Sequence, residues 1–149
     1  MLTLDHVEIR QDDFSLSADW SIAKSTLVAV IGPSGGGKST LLMTIAGFIA
    51  PVWGCVLWDG KDLADMPPGK RPISVLFQDQ NLFPHLTLAQ NLGLGLDPGL
   101  RLSALDRKKV EAVLERVGLT GMGLRKPAQL SGGQQGRASL ARTLLRAKP

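Results

Sequence analysis

The sequence predicts an α/β fold of mixed sheet type: an amino-terminal antiparallel β region, a buried parallel strand that turns through a glycine-rich loop into a helix, and a helical insertion after it. Three observations carry this expectation. An uninterrupted apolar run at 27–31 (Leu27, Val28, Ala29, Val30, Ile31) leads directly into GPSGGGKS at 32–39, and that into residues of helical periodicity. Residues 14–22 alternate apolar and polar with a period of two, and from Thr87 onward the apolar period becomes helical.

Taken in order, residues 2–9 read as a strand with a break of register between Leu4 and Val7, the mark of a bulge. Phe14, Leu16, Ala18, Trp20 and Ile22 then line one face of a strand whose other face is wet. A turn at Lys24, Ser25 and Thr26 feeds 27–31, which is apolar throughout and rich in β-branched residues, as suits a parallel strand buried on both faces. After the glycine loop, Leu41, Leu42, Ile45, Ala46 and Ile49 recur at helical spacing, with Gly47 and Pro51 as stop signals. Residues 55–58 form a short strand closed by Asp59-Gly60, a tight-turn pair. The loop DMPPGKRP precedes a second buried strand at 73–77 that ends on Gln78, and the run breaks at Pro84. Thr87 caps a helix through Leu88, Asn91 and Leu92. After the loop GLGLDPGLRL, Ser103 and Asp106 form a capping box for a helix with Val110, Val113, Leu114 and Val117 on one face and Gly118 as terminator. Ser131 caps a last helix expected to bury Leu140, Ala141, Leu144 and Leu145.

At 149 residues, 44% hydrophobic and 20% charged, the chain has the length and composition of one packed domain. The net charge of +4 comes from 17 basic residues spread along the chain, which fits attraction of a nucleotide better than a nucleic-acid surface. Cys55 is a lone cysteine and reads as a small apolar residue in a strand. Because no run of 18 apolar residues occurs and the first residues carry acids, the chain is expected to be neither exported nor membrane-spanning. Trp20, Trp53 and Trp58 read as core or edge packing. His6 and His85 read as structural or solvated, with no carboxylate or cysteine pattern beside them.

The chemistry concentrates at 32–40. Gly32, Gly35, Gly36 and Gly37 let a loop of backbone N–H groups turn inward at a helix amino end, which makes an anion site out of Gly32, Pro33, Ser34, Gly35, Gly36, Gly37 and Thr40. Lys38 would reach the β- and γ-phosphates, and the Ser39 hydroxyl would ligate Mg²⁺. The plainer alternative is a glycine-rich turn with a solvated lysine. Gln78 is a polar amide at the carboxyl end of a sheet strand, where open α/β sheets bind ligands. Ser131, Gly132 and Gly133 offer a second bare-backbone nest, which alone is commonly just a turn. Two such sites in one chain make sense for one nucleotide when two chains share it.

GPSGGGKST, Gln78 at a strand end, and LSGGQ at 130–134 followed by Arg137 and LAR together resemble the Walker A, Q-loop and signature motifs of ABC transporter ATPases. The resemblance covers the whole chain. Residues 66–102 are similar in detail to the ATP-binding subunits of bacterial thiamine importers. It implies ATP and Mg²⁺ as ligands, Lys38 and Gln78 in the catalytic machinery, Ser39 and Gln78 at the metal, and Ser131, Gly132, Gly133 and Gln134 contacting the nucleotide of a second copy in a head-to-tail homodimer. It also implies transmembrane permease subunits, an indirect periplasmic solute-binding partner and no nucleic acid. The place implied is the cytoplasmic face of the bacterial inner membrane, and the work implied is thiamine uptake driven by ATP. Alternatives are import of a polyamine, iron or sulfate, or nucleotide binding without hydrolysis. The expected division is 1–79 for the β subdomain and P-loop core, 80–128 for the helical subdomain and 129–149 for the signature motif.

Departures from the pattern are specific. The aromatic that stacks on adenine is unassigned, because the first hairpin offers only Phe14, whose alternation places it in the core. Ser25 stands where a glycine is expected, and Gly136 lies inside the signature helix, where glycine costs about 1 kcal/mol against alanine. The Walker B strand, its acidic pair and the switch histidine would follow Pro149, so the sequence is expected to be a partial cassette that does not hydrolyse ATP by itself.

Overall fold

The computed structural model describes residues 1–77 and 82–146. They group into two compact units, Met1–Ile73 and Ser74–Pro149.

The first unit is an antiparallel sheet with one helix. Its strands are β1 (Leu2–Gln11), β2 (Phe14–Ile22), β3 (Trp53–Trp58) and β4 (Lys61–Asp62), in the order β2-β1-β3-β4, and its helix is α1 (Lys38–Ala46). The expected bulge is present: Leu4 faces Trp20 and Val7 faces Ala18, so between them Asp5 and His6 of β1 stand against Asp19 alone on β2. His6 takes up the extra residue with φ 47°. This shift of parity is what lets Leu4, Val7 and Ile9 all reach the same core, each fully buried, with Ala18, Val56 and Leu63 and with Leu41 and Ile45 of α1. Each such aliphatic side chain contributes roughly 1.5–3 kcal/mol by leaving water. Asp59 and Gly60, at φ 48° and 79°, make the two-residue turn between β3 and β4, with Trp58 opposite Lys61. Trp20 and Trp58 pack partly buried on the core, while Trp53 is 70% exposed at the start of β3. Cys55 is half-buried in β3, and burial pushes its thiol up, which makes it a poor nucleophile.

The bulge also corrects the expectation for His6. Its Nδ1 lies 2.6 Å from Asp5 Oδ1 and its Nε2 3.6 Å from Asp19 Oδ2, so two carboxylates bracket the ring. Asp19 is 13 residues away and arrives only through the β1–β2 register. The hydrogen bond with Asp5, then the charges of Asp19 and Asp5, raise the imidazole above 6.5. A raised folded value means that the contribution to stability is fully present below the unfolded pKa and is lost as pH rises through the folded one. A proton NMR titration should therefore place the His6 midpoint above 6.5. In His6→Gln the part of the stability lost as pH rises from the ordinary imidazole value through the raised folded one should vanish. A midpoint at or below the ordinary value would rule out the bracketing.

Residues 27–31 and 73–77 are where the structure departs most from the sequence. Neither is a hydrogen-bonded strand, and Leu27 and Ile31 are 99% and 90% exposed. Leu76 in the second segment is half exposed as well. A strand apolar on both faces acquires burial from neighbours on both sides, and among the described residues no strand pairs with either segment.

The second unit is helical: α2 (Leu88–Gly93), α3 (Ala104–Arg116), a 3₁₀ turn at Pro127–Gln129, and α4 (Gly132–Leu145). Thr87, Ser103 and Ser131 each cap their helix in a capping box closed by Gln90, Asp106 and Gln134. Gly118 ends α3 at φ 68°. The core joins Leu88 and Leu92 of α2, Val110, Val113 and Leu114 of α3, Leu119 and Leu130, and Ala138, Ala141 and Leu145 of α4. The inward face of α4 thus runs through 138, 141 and 145, and Leu140 and Leu144, expected inside, are 42% and 45% exposed on the adjacent stripe. Among the described residues no helix is long and apolar enough to cross a membrane.

Candidate functional site

The loop at 32–37 turns sharply before α1. Gly36 N donates to Pro33 O at 3.2 Å, and Gly35 and Gly37 take φ of 78° and 80°, values that L side chains rarely adopt. Gly37 is the N-cap of α1, and no side chain caps this helix, whereas α2, α3 and α4 all have capping boxes. By helix geometry the N–H groups of Lys38, Ser39 and Thr40 have no intrahelical acceptor, the first such bond being Leu41 N to Gly37 O at 2.9 Å. The amino end of α1 therefore presents bare donors and the positive end of the helix dipole beside an exposed glycine loop.

Lys38 Nζ folds back over this loop and donates to Gly32 O at 2.8 Å and Pro33 O at 2.6 Å. The ammonium is thus held at the mouth of the donor ring by two carbonyls that water also reaches, and an anion seated on the N–H groups would meet it directly. Ser39 is exposed at the second helical position, where its hydroxyl is open to a metal ion that sits beside the anion. The donors present fit a polyphosphate: backbone N–H groups at a helix end, one ammonium and one hydroxyl, with no carboxylate among residues 32–40 to repel it.

Two features around this loop escaped the sequence. The ring of Phe14 packs on Gly37, where a Cβ would stand 3.1 Å from Phe14 Cε1 and closer still to Cζ, so the aromatic expected in the core instead supports the loop. Ser25, in the position where glycine was expected, does adopt a left-handed φ of 60°.

Gln78 lies outside the described residues. In the second unit, residues 83–87 are held by Asn91, a fully buried residue of α2 that periodicity marked only as core. Asn91 Oδ1 accepts from Phe83 N at 2.7 Å, and its Nδ2 donates to the carbonyls of Phe83, Leu86 and Thr87 at 3.0, 3.2 and 3.0 Å. Arg142 of α4 lies over the Phe83 ring at 5.9 Å, and His85 meets that ring edge-on at 6.0 Å.

Ser131, Gly132 and Gly133 are exposed at the start of α4. Ser131 Oγ accepts from Gln134 N at 3.3 Å, and Gln134 Oε1 accepts from Ser131 N at 2.8 Å, so the side chains of both are engaged in the cap. Addition of a Cβ at Gly133 meets nothing within 4 Å, which leaves the backbone open to approach from outside.

A glycine-turned loop on an uncapped helix with its lysine held over it is built to seat a phosphate, and the chain belongs to the ABC transporter family, whose profile matches residues 16–149. It is 64% identical over all 149 residues to the thiamine import ATP-binding protein ThiQ of Cereibacter sphaeroides, covering 64% of that protein, and 50% identical over 129 residues to ThiQ of Escherichia coli K12, covering 87% of this chain and 56% of that one. The chain thus spans just under two thirds of the length of the curated relatives it matches. Among solved structures it is similar to the dimeric post-hydrolysis state of the ATP-binding cassette MJ0796 bound to ADP and Pi, with TM-score 0.82 and 31% identity over the whole chain and 71% of that structure. A second dimeric structure of MJ0796 matches with TM-score 0.83.

Proposed function

We propose that this chain is the ATP-binding part of the energy-coupling subunit of a bacterial ABC importer, and that the imported solute is thiamine. The observation that carries the nucleotide is the uncapped amino end of α1 with Lys38 held over the loop by Gly32 and Pro33 carbonyls. The thiamine reading is supported by the identities to ThiQ proteins across residues that include 66–102.

In this reading residues 1–79 supply the β subdomain and the P-loop, 80–128 the helical subdomain and 129–149 the signature. The N–H groups at 35–40 seat the β- and γ-phosphates, and Lys38 exchanges two carbonyl partners for phosphate oxygens as the charge arrives. Ser39 and Gln78 would hold Mg²⁺, which when bound neutralises the phosphate oxygens. Ser131, Gly132, Gly133 and Gln134 would close on the γ-phosphate of a second copy in a head-to-tail pair, and the dimeric state of the MJ0796 structures supports the pairing of two copies. Binding closes the pair and hydrolysis releases it, and permease subunits in the membrane, fed by a periplasmic solute-binding protein, convert that cycle into transport. The place of action is the cytoplasmic face of the inner membrane.

The substrate is tested by uptake in the assembled importer that contains the full-length subunit. ATP-driven accumulation of thiamine, with none of sulfate, iron or a polyamine, is the expected result. Uptake of one of the others without thiamine would replace it.

A further inference from the structure

Arg71 is a buried arginine, 6% exposed, at the far end of α1 from Lys38. Its Nη1 donates to the carbonyls of Thr44 at 3.1 Å and Ile45 at 2.9 Å, both in the last turn of the helix, and its Nε donates to Met66 O at 2.9 Å. The last carbonyls of a helix carry the negative end of its dipole, and although Thr44 O also accepts from Gly47 N at 3.1 Å, the guanidinium adds a charged donor to it and to Ile45 O. Gly47 is shaped around this fork. It takes φ 89°, and a Cβ on it would stand 2.6 Å from Arg71 Cζ and 3.0 Å from Cδ, so the guanidinium occupies space that only glycine leaves.

We propose that Arg71 is a positioning residue for the phosphate site: by tying the carboxyl end of α1 to the Met66 turn, it sets where the amino end of the same helix, with Lys38 and Ser39, meets the nucleotide. The inference rests on the P-loop reading above. A helix of nine residues is about 14 Å long, so a tilt of about 10° at one end displaces the other by about 2 Å. A displacement of about 1 Å in a reacting group is already enough to cost about a hundredfold in rate.

The test is the equilibrium dissociation constant for ATP, measured on the unaltered chain and on Arg71→Met, Arg71→Lys, Gly47→Ala and the double variant Arg71→Met/Gly47→Ala. Circular dichroism and thermal unfolding are recorded alongside. Arg71→Met should weaken binding about tenfold in protein that is still folded, and Arg71→Lys, which keeps a cation but not the fork, should recover part of it. Gly47→Ala displaces the guanidinium without removing it and should weaken binding in the same way, while the double variant should be within about twofold of the worse single one, since both act through one contact. If Arg71→Met does not fold, Arg71→Lys and Gly47→Ala decide by themselves. Unchanged affinity in folded variants whose melting temperature has dropped would make Arg71 a purely structural residue and overturn the proposal. If the unaltered chain and Lys38→Ala were alike in failing to bind ATP, the P-loop reading would fall first and this inference with it.

Discussion

Lys38→Ala is expected to weaken ATP binding about a hundredfold, because a charge-assisted hydrogen bond to phosphate contributes about 3 kcal/mol in a site with few other charges. The same change should barely alter stability. The partners that Lys38 leaves behind, the carbonyls of Gly32 and Pro33, face water and remain hydrated, so no buried acceptor is orphaned. Isothermal titration or a fluorescent ATP analogue measures the first effect and thermal unfolding the second. ATP affinity within about threefold of the unaltered chain would remove the phosphate assignment of residues 32–40.

Ser131→Arg should leave ATP binding by a single chain nearly intact while abolishing ATP-driven dimerisation and turnover of the full-length protein. Ser131 caps α4 in the second unit, and an arginine there loses the cap, at about 1 kcal/mol, and sets a long side chain across the exposed nest. That cost is small beside the stability of a domain, so the helix should survive and the loss should fall on the surface offered to the other copy. Sedimentation with ATP in the presence of Mg²⁺ reads dimerisation directly. A normal ATP-dependent dimer in this variant would show that the signature does not act across the pair.

Local signals in the sequence were read correctly wherever a few neighbouring residues settle the outcome. The capping boxes at Thr87, Ser103 and Ser131, the turn at Asp59-Gly60, the bulge between Leu4 and Val7 and the glycine end of α1 all belong to this class. The glycine turn that leads into the uncapped end of α1 does too, since its glycines at fixed offsets settle it. Residues 27–31 and 73–77 show the opposite case: their composition records a preference for burial, but burial itself needs strands that the described residues do not supply. Contacts over long separations were illegible for a different reason. His6 with Asp19, Phe14 with Gly37 and Arg71 with the end of α1 depend on strand register and helix placement, which no local pattern encodes. On α4 the 3.6-residue period was right and Ala141 and Leu145 are buried as expected, but Ala138 completes the inward face and Leu140 and Leu144 stand partly exposed on the adjacent stripe.

The four hydrogen bonds of Asn91 bear on how residues 83–87 meet anything that lands on them. A five-residue stretch without regular structure ordinarily loses about 1–2 kcal/mol of backbone freedom per residue when a visitor fixes it. Here that freedom is already gone before any encounter, surrendered during folding to one buried amide. Phe83, 46% exposed, and the exposed His85 therefore sit on a surface whose shape is set in advance, and an association there would be spared an ordering penalty of several kcal/mol.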